Sequence, residues 1–201
     1  MARDMVTRSA PLTREVEALA KILRLSTVRV QQRESGGGSG VIWRASGLII
    51  TNSHVVRSST TTVKLSDGRI FAATVISRDP EHDLAALHVE ATDLPFLSAR
   101  DSSNLQVGEL VFAVGNPRGV TGALTIGIVH ALGQRKGARL SKWIQADLEL
   151  PRGYSGGPLA DARGRIVGIN SMVYGGLALA VPSNTVASFL ADRGRRFAVQ
   201  E

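Results

Sequence analysis

Apolar positions along this chain follow two periods, and the switch between them divides it. Between Leu12 and Leu25 the residues Val16, Leu19, Ala20 and Leu23 fall three and four apart, which lines one face of an amphipathic helix. Thr13 stands near its start as a candidate N-cap. Past Leu25 the pattern becomes short runs rich in β-branched residues, the mark of strands. Val28–Gln32, Ser39–Trp43 and Leu48–Asn52 come first, separated by Gly36-Gly37-Gly38, read as a mobile turn or a shortened regulatory loop, and by Ser46-Gly47. Val63–Leu65 and Arg69–Ile76 flank the hairpin signal Ser66-Asp67-Gly68, and Leu84–Val89 reads as a buried strand. The stretch Leu94–Leu105 has the Pro and polar content of a linker.

The second half repeats the habit with Leu110–Val114, Leu124–Leu132, Trp143–Ala146, Pro158–Ala160, Ile166–Asn170 and Leu177–Val181. Asn116-Pro117-Arg118-Gly119 and Asp161-Ala162-Arg163-Gly164 are turns. A closing helix runs from Ser183 to about Asp192, capped by Ser183 or Asn184 and stopped near Gly194. The expected fold is all-β. A helical segment over 1–26 precedes one antiparallel barrel over 27–98 and a second, with the terminal helix, over 99–201.

Composition narrows this picture. The 201 residues suffice for two small barrels that share an interface, and a hydrophobic content of 43% supplies their cores. Aromatics make up only 4%, so Val, Ile, Leu and Ala must fill the interior. The absence of cysteine removes disulfides, thiolate metal sites and cysteine nucleophiles. Met1 to Ala20 lacks the apolar stretch of a signal peptide, and no run is long enough for a membrane span. The net charge of +7 is concentrated in Arg135–Lys142 and Arg193–Arg196. No aromatic platform or recognition helix accompanies these clusters, so they read as a solvated basic face and no nucleic-acid partner is expected.

Three local features carry chemistry. Gly153-Tyr154-Ser155-Gly156-Gly157-Pro158 places one serine among glycines, so the backbone can turn sharply and expose the hydroxyl. The amides of Gly153 and Ser155 can then converge as an oxyanion hole, where losing one donor costs about 3–4 kcal/mol of transition-state stabilisation. His54 follows the apolar run Leu48-Ile49-Ile50, at a strand end where a rigid barrel can aim it. Asp83 leads directly into Leu84-Ala85-Ala86-Leu87, where it can be partly buried against an imidazole. Each alone has a bland reading as a hairpin turn, a surface histidine or a strand-start residue. Together they supply a nucleophile, the base that removes its proton, and the acceptor that fixes the base's tautomer. His54 and Asp83 fall in the first barrel and Ser155 in the second, so a cleft between barrels would assemble them as a catalytic triad.

The surrounding segments resemble a known family. Gly40-Val41-Ile42, Gly47-Leu48-Ile49-Ile50-Thr51-Asn52-Ser53-His54-Val55-Val56, Asp67-Gly68-Arg69, Asp79-Pro80, Val107-Gly108-Glu109, Gly115-Asn116-Pro117, Gly168-Ile169-Asn170 and Val181-Pro182-Ser183-Asn184 all look like the HtrA serine proteases, over about residues 25 to 192. The order His–Asp–Ser is also the chymotrypsin order. The resemblance implies a chymotrypsin-like fold of two six-stranded barrels and a serine endopeptidase. That enzyme would act on unfolded or damaged bacterial proteins in quality control, through an acyl-enzyme, with no cofactor and no metal. It implies a periplasmic or envelope location if a leader has been removed, and a cytoplasmic one otherwise. The expectation here is the protease domain without the PDZ module that members usually carry. Family trimers use aromatic residues near the N-terminus, whereas the first aromatic here is Trp43, which argues against a homo-trimer. Where the family has Asn-Pro-Gly-Asn, this chain has Pro151-Arg152-Gly153-Tyr154, expected to stiffen the loop and alter how the oxyanion hole forms.

By the same analogy, Ser171, Met172 and Val173 pair with the substrate backbone and, with Leu150, line a pocket for a small or medium aliphatic side chain. A competing reading puts Glu149 on the pocket floor, favouring Arg or Lys. Its alternation with Leu148 and Leu150 turns it towards solvent instead. Asn170 reads as a structural strand residue. Two other function classes remain at this stage: a catalytically silent peptide-binding or chaperone domain on the same fold, and a basic nucleic-acid module.

Overall fold

The computed structural model describes residues 2–31, 36–117, 120–134 and 142–198. The basic run 135–141 and the Arg118-Gly119 half of an expected turn lie outside the described residues, as do the side chains of Arg193–Arg196. Helix α1 covers Ala2–Ser26. Six strands follow, β1 Thr27–Gln31, β2 Gly37–Arg44, β3 Leu48–Thr51, β4 Thr60–Lys64, β5 Ile70–Asp79 and β6 Leu84–Val89, and they close a barrel in the order β1-β2-β3-β6-β5-β4. The next six, β7 Leu110–Gly115, β8 Ala123–Gln134, β9 Lys142–Asp147, β10 Pro158–Asp161, β11 Ile166–Tyr174 and β12 Leu177–Pro182, close a second in the order β10-β11-β12-β9-β8-β7. Helix α2, Ser183–Ala198, follows directly. This is the chymotrypsin fold.

Strand β6 shows why the two barrels belong together. Successive side chains of a strand point to opposite faces. Ala85, Leu87 and Val89 point into the first barrel and pack on Val30, Ile42, Ile49 and Val63. Leu84 and Ala86 point outward, yet they too are fully buried, against Ile166, Ile169, Leu179 and Val181 of the second barrel and Val186 and Phe189 of α2. A strand buried on both faces loses polar alternation, which is why Leu84–Val89 reads as a continuous apolar run. Each fully buried Leu or Ile contributes about 1.5–3 kcal/mol over an exposed one, so the seam between the barrels is a third core. Helix α1 lays Leu19 and Leu23 on Phe112, Val114 and Ala160, on the outside of the second barrel.

Several sequence expectations shift. The helix begins at Ala2 with Pro11 inside it, so Thr13 lies mid-helix and is no cap. The mixed, charged first residues carry no apolar period that could have announced this. Gly37 and Gly38 form no mobile turn. They are the first residues of β2, paired with Gln31 and Val30. Ser183 and Asn184, expected as caps, spend their side chains elsewhere: Ser183 Oγ donates to the Arg100 carbonyl, and Asn184 engages Asp101 and the Ser102 amide.

A charged node ties the inter-barrel segment to the second barrel. Asp161, 4% exposed, accepts Arg165 Nη2 at 2.7 Å and the amides of Arg163 and Arg165, both at 3.0 Å; Arg100 lies 3.5 Å away and also binds Glu109. Burial pushes the Asp161 carboxyl up, but these hydrogen bonds outweigh it and hold it below the ordinary aspartate value of 3.8. The stabilisation is therefore present above that value and fades as the pH falls towards the lower folded one. Asp161→Asn should cost about 3 kcal/mol near neutral pH, the low end for a broken buried pair because the Arg165 side chain is 37% exposed. Urea unfolding at several pH values checks this: the gap to wild type should narrow below pH 4, and a gap independent of pH would contradict it.

Candidate active site

His54 sits in a 3-10 turn, Ser53–Val55, immediately after β3, at the rim of the first barrel. Asp83 precedes β6 with φ +54, a left-handed conformation that Asp and Asn tolerate better than most residues. Asn52, fully buried, donates Nδ2 to the Asp83 carbonyl at 2.9 Å and pins that turn. The Asp83 carboxylate accepts the His54 amide at 3.1 Å and lies 2.9 Å from Nδ1 with both oxygens. A carboxylate only accepts, so Nδ1 carries the imidazole proton and the Nε2 lone pair is left for another donor.

Ser171 bridges the barrels. Register shifts between Asn170 and Met172 in the β11–β12 pairing, leaving Ser171 at an irregularity of the kind that re-aims side chains. Its Oγ donates to Asp83 Oδ2 at 2.5 Å, and its carbonyl accepts Ser155 Oγ at 2.7 Å. One continuous path therefore runs His54–Asp83–Ser171–Ser155. Among the described residues no hydrogen bond joins Ser155 directly to His54. The imidazole is half exposed, its side chain at 49%, whereas Asp83 retains 13%.

The loop before Ser155 is a β-turn closed by Tyr154 N–H donating to the Pro151 carbonyl at 3.2 Å. Gly153 occupies its third position with φ +109, as a type II turn requires. The carbonyls of Gly153, Tyr154 and Ser155 all accept hydrogen bonds. Among the described residues the amides of Gly153 and Ser155 have no acceptor, and they are the pair expected as oxyanion donors. Tyr154 does not enter the cleft. Its ring, 2% exposed, packs among Leu105, Val111, Ile144 and Leu159 inside the second barrel, where Gly115 leaves the space. Burial, and then the charge of Glu149, push its phenol above its ordinary value. Glu149 is exposed.

The expected pocket residues separate. Met172 is half-buried on the inter-barrel core, Leu150 packs on the second barrel's core, and Val173 is 51% exposed. Asn170 is structural: its Nδ2 donates to the Pro158 carbonyl at 2.8 Å. Sequence reading missed the hydroxyl of Ser171 as the anchor of Asp83, and it missed Asn52, Ser39 and Asn116. A buried polar residue beside a chemistry-bearing segment was the available signal. Among the described residues no group of three His, Asp or Glu side chains is placed to hold a metal ion, and no helix is long and apolar enough to cross a membrane.

Comparison with known proteins gives this constellation its context. Residues 38–169 match the trypsin-like peptidase domain. The chain belongs to that family. Within the family, this trypsin-like peptidase domain is of the HtrA type. It is 40% identical over 174 residues to the periplasmic serine endoprotease DegP of Salmonella typhimurium, covering 81% of this chain and 36% of that protein. It is 38% identical over 185 residues to the serine protease HTR4 of Rattus norvegicus, covering 88% of this chain and 38% of that protein. A solved structure of the HtrA-type protease AlgW with a tripeptide superposes with a TM-score of 0.81 at 32% identity, covering 87% of this chain and 62% of the other. The peptidase domain thus spans well under half the length of these curated relatives.

Proposed function

We propose that this peptidase domain is a serine endopeptidase in which Ser155 is the nucleophile, His54 the general base, Asp83 the residue that orients the base, and the amides of Gly153 and Ser155 the oxyanion hole. The observation that carries the reading is the path His54–Asp83–Ser171–Ser155, which draws residues from both barrels onto one carboxylate and one carbonyl. For reaction, the Ser155 hydroxyl turns about χ1 from the Ser171 carbonyl to His54 Nε2, a change of staggered rotamer. Oγ bonds to the substrate carbonyl carbon as Nε2 takes its proton. Asp83 stabilises the imidazolium, and the two amides receive the oxyanion. Collapse breaks the C–N bond, His54 gives the proton to the leaving amine, and an acyl-enzyme remains. Water attacks it by the same steps and frees Ser155.

The substrate is a polypeptide in extended form. Strand β10 pairs with β11 only as far as Ile169, while β11 continues to Tyr174. A peptide added beside Ser171–Val173 continues the sheet, with a small or medium aliphatic side chain at the cleaved bond. Unfolded or damaged proteins present such segments. The periplasmic name of the Salmonella relative supports an envelope location.

A fluorophosphonate probe tests the reading. It should form one adduct on Ser155 that Ser155→Ala abolishes and His54→Ala strongly slows. Peptide binding without any adduct would establish the silent peptide-binding alternative instead. Labelling at the wild-type rate in His54→Ala would remove His54 as the base.

A further inference from the structure

We infer that Ser39 is a positioning residue for the oxyanion loop, reaching from the first barrel to hold that loop of the second in its working shape. This rests on the proposed roles of Gly153 and Ser155, and the test separates the two.

Ser39 lies in β2 and is fully buried. Its backbone and side chain grip alternate residues of one loop. The Ser39 amide donates to the Ser155 carbonyl at 2.8 Å, and Ser39 Oγ donates to the Gly153 carbonyl at 2.7 Å. The hydroxyl has one proton, and giving it to Gly153 leaves its lone pairs to accept. They receive the Asn116 amide at 2.9 Å and Asn116 Nδ2 at 3.2 Å. Asn116 is 5% exposed and fixed in turn: Nδ2 donates to the Val28 carbonyl at 2.9 Å, and Oδ1 accepts the Gly122 amide at 3.0 Å. The Ser39 carbonyl accepts Thr51 Oγ1 at 2.7 Å. The approach is close enough that a Cβ on Gly156 would stand 2.0 Å from the Ser39 carbonyl oxygen.

The consequence is geometric. Peptide groups are planar, so fixing the Gly153 and Ser155 carbonyls fixes the Gly153–Tyr154 and Ser155–Gly156 planes. The amides without acceptors among the described residues lie in the adjoining planes: that of Ser155 is bracketed by the two fixed planes, and that of Gly153 directly precedes the first. Removing the hydroxyl leaves the Gly153 carbonyl, among the described residues, with only the Asn116 amide at 3.2 Å, and loosens the orientation of the turn. A donor that must be aimed at the oxyanion loses its value when the loop samples other orientations.

The test compares Ser39→Thr with Ser39→Val, which add the same branch and differ only in the hydroxyl, alongside Ser39→Ala. Relative to the Thr variant, the Val variant should lose roughly 10- to 100-fold in kcat with KM nearly unchanged. Affinity for a peptide boronate, whose tetrahedral adduct uses the hole, should fall by the same factor, while a non-reactive product peptide binds equally to both. If kcat per titrated active site is equal in the Thr and Val variants, or if only thermal stability differs, the inference is overturned. Backbone amide resonances supply a readout independent of catalysis. In Ser39→Ala those of Gly153 and Ser155 should shift or broaden while those of β6 stay in place. Should wild type form no fluorophosphonate adduct, the function fails, yet these resonances still decide the positioning role. Unmoved resonances would refute it.

Discussion

Ser155→Ala should reduce kcat on an unfolded protein substrate by about 10⁶-fold, the loss seen when a serine nucleophile acting with its base is removed. The alanine deletes one part-buried oxygen whose only hydrogen bond among the described residues runs to the Ser171 carbonyl. The fold should therefore persist, with thermal melting and circular dichroism close to wild type. The grip on the loop should persist as well, because Ser39 and Asn116 bind backbone carbonyls rather than this hydroxyl. Unreduced binding of a product peptide beside abolished turnover is the expected pair of results. Turnover within tenfold of wild type would mean that another residue is the nucleophile.

Asp83→Asn should lower kcat by about 10⁴-fold through the imidazole tautomer. Asparagine tolerates φ +54, and its Oδ1 can still accept the His54 amide, so the turn should hold. Its Nδ2 donates where Oδ2 accepted, so Nδ1 must become the acceptor and the imidazole proton moves to Nε2. That is the atom proposed to take the Ser155 proton. Ser171 loses the acceptor of its hydroxyl in the same change. Steady-state kinetics with active-site titration distinguish this from misfolding: the folded fraction should be unchanged while the rate per site collapses. A loss smaller than tenfold would show that Asp83 merely occupies a turn.

The barrels were legible in the sequence for a physical reason. Short runs of Val, Ile and Leu between turn residues have few alternatives to strands, and β6 falls at Leu84–Val89 as the apolar run alone predicts. Gly68 and Gly164 close their turns as expected, donating to the Leu65 and Asp161 carbonyls. Elements whose limits depend on distant partners were less legible. Gly37 and Gly38 look like a loop until β1 pairs with them, and β11 runs four residues past Asn170 because β12 continues alongside. The expectation that Tyr154 would alter the oxyanion hole met a different outcome for its side chain. Its ring leaves the cleft because small residues, Ala113, Ala146, Ala178 and Ala180, surround a space inside the second barrel that only a large group fills.

For the site, sequence by itself determined the candidates: His54 at a strand end, Asp83 at a strand start and Ser155 between glycines, in an order that spans two barrels. These are local features, and local backbone chemistry writes them into neighbouring residues. Only the tertiary structure decided how they are connected. The bond from Ser171 to Asp83 joins residues 88 apart, that from Ser39 to Gly153 joins residues 114 apart, and that from Asn116 to Ser39 joins residues 77 apart. No periodicity or motif spacing encodes such pairings. They arise when the apolar outer faces of β3, β6 and β11 bury one another and draw a few polar groups into a space without water, where each must find a partner in the opposite barrel.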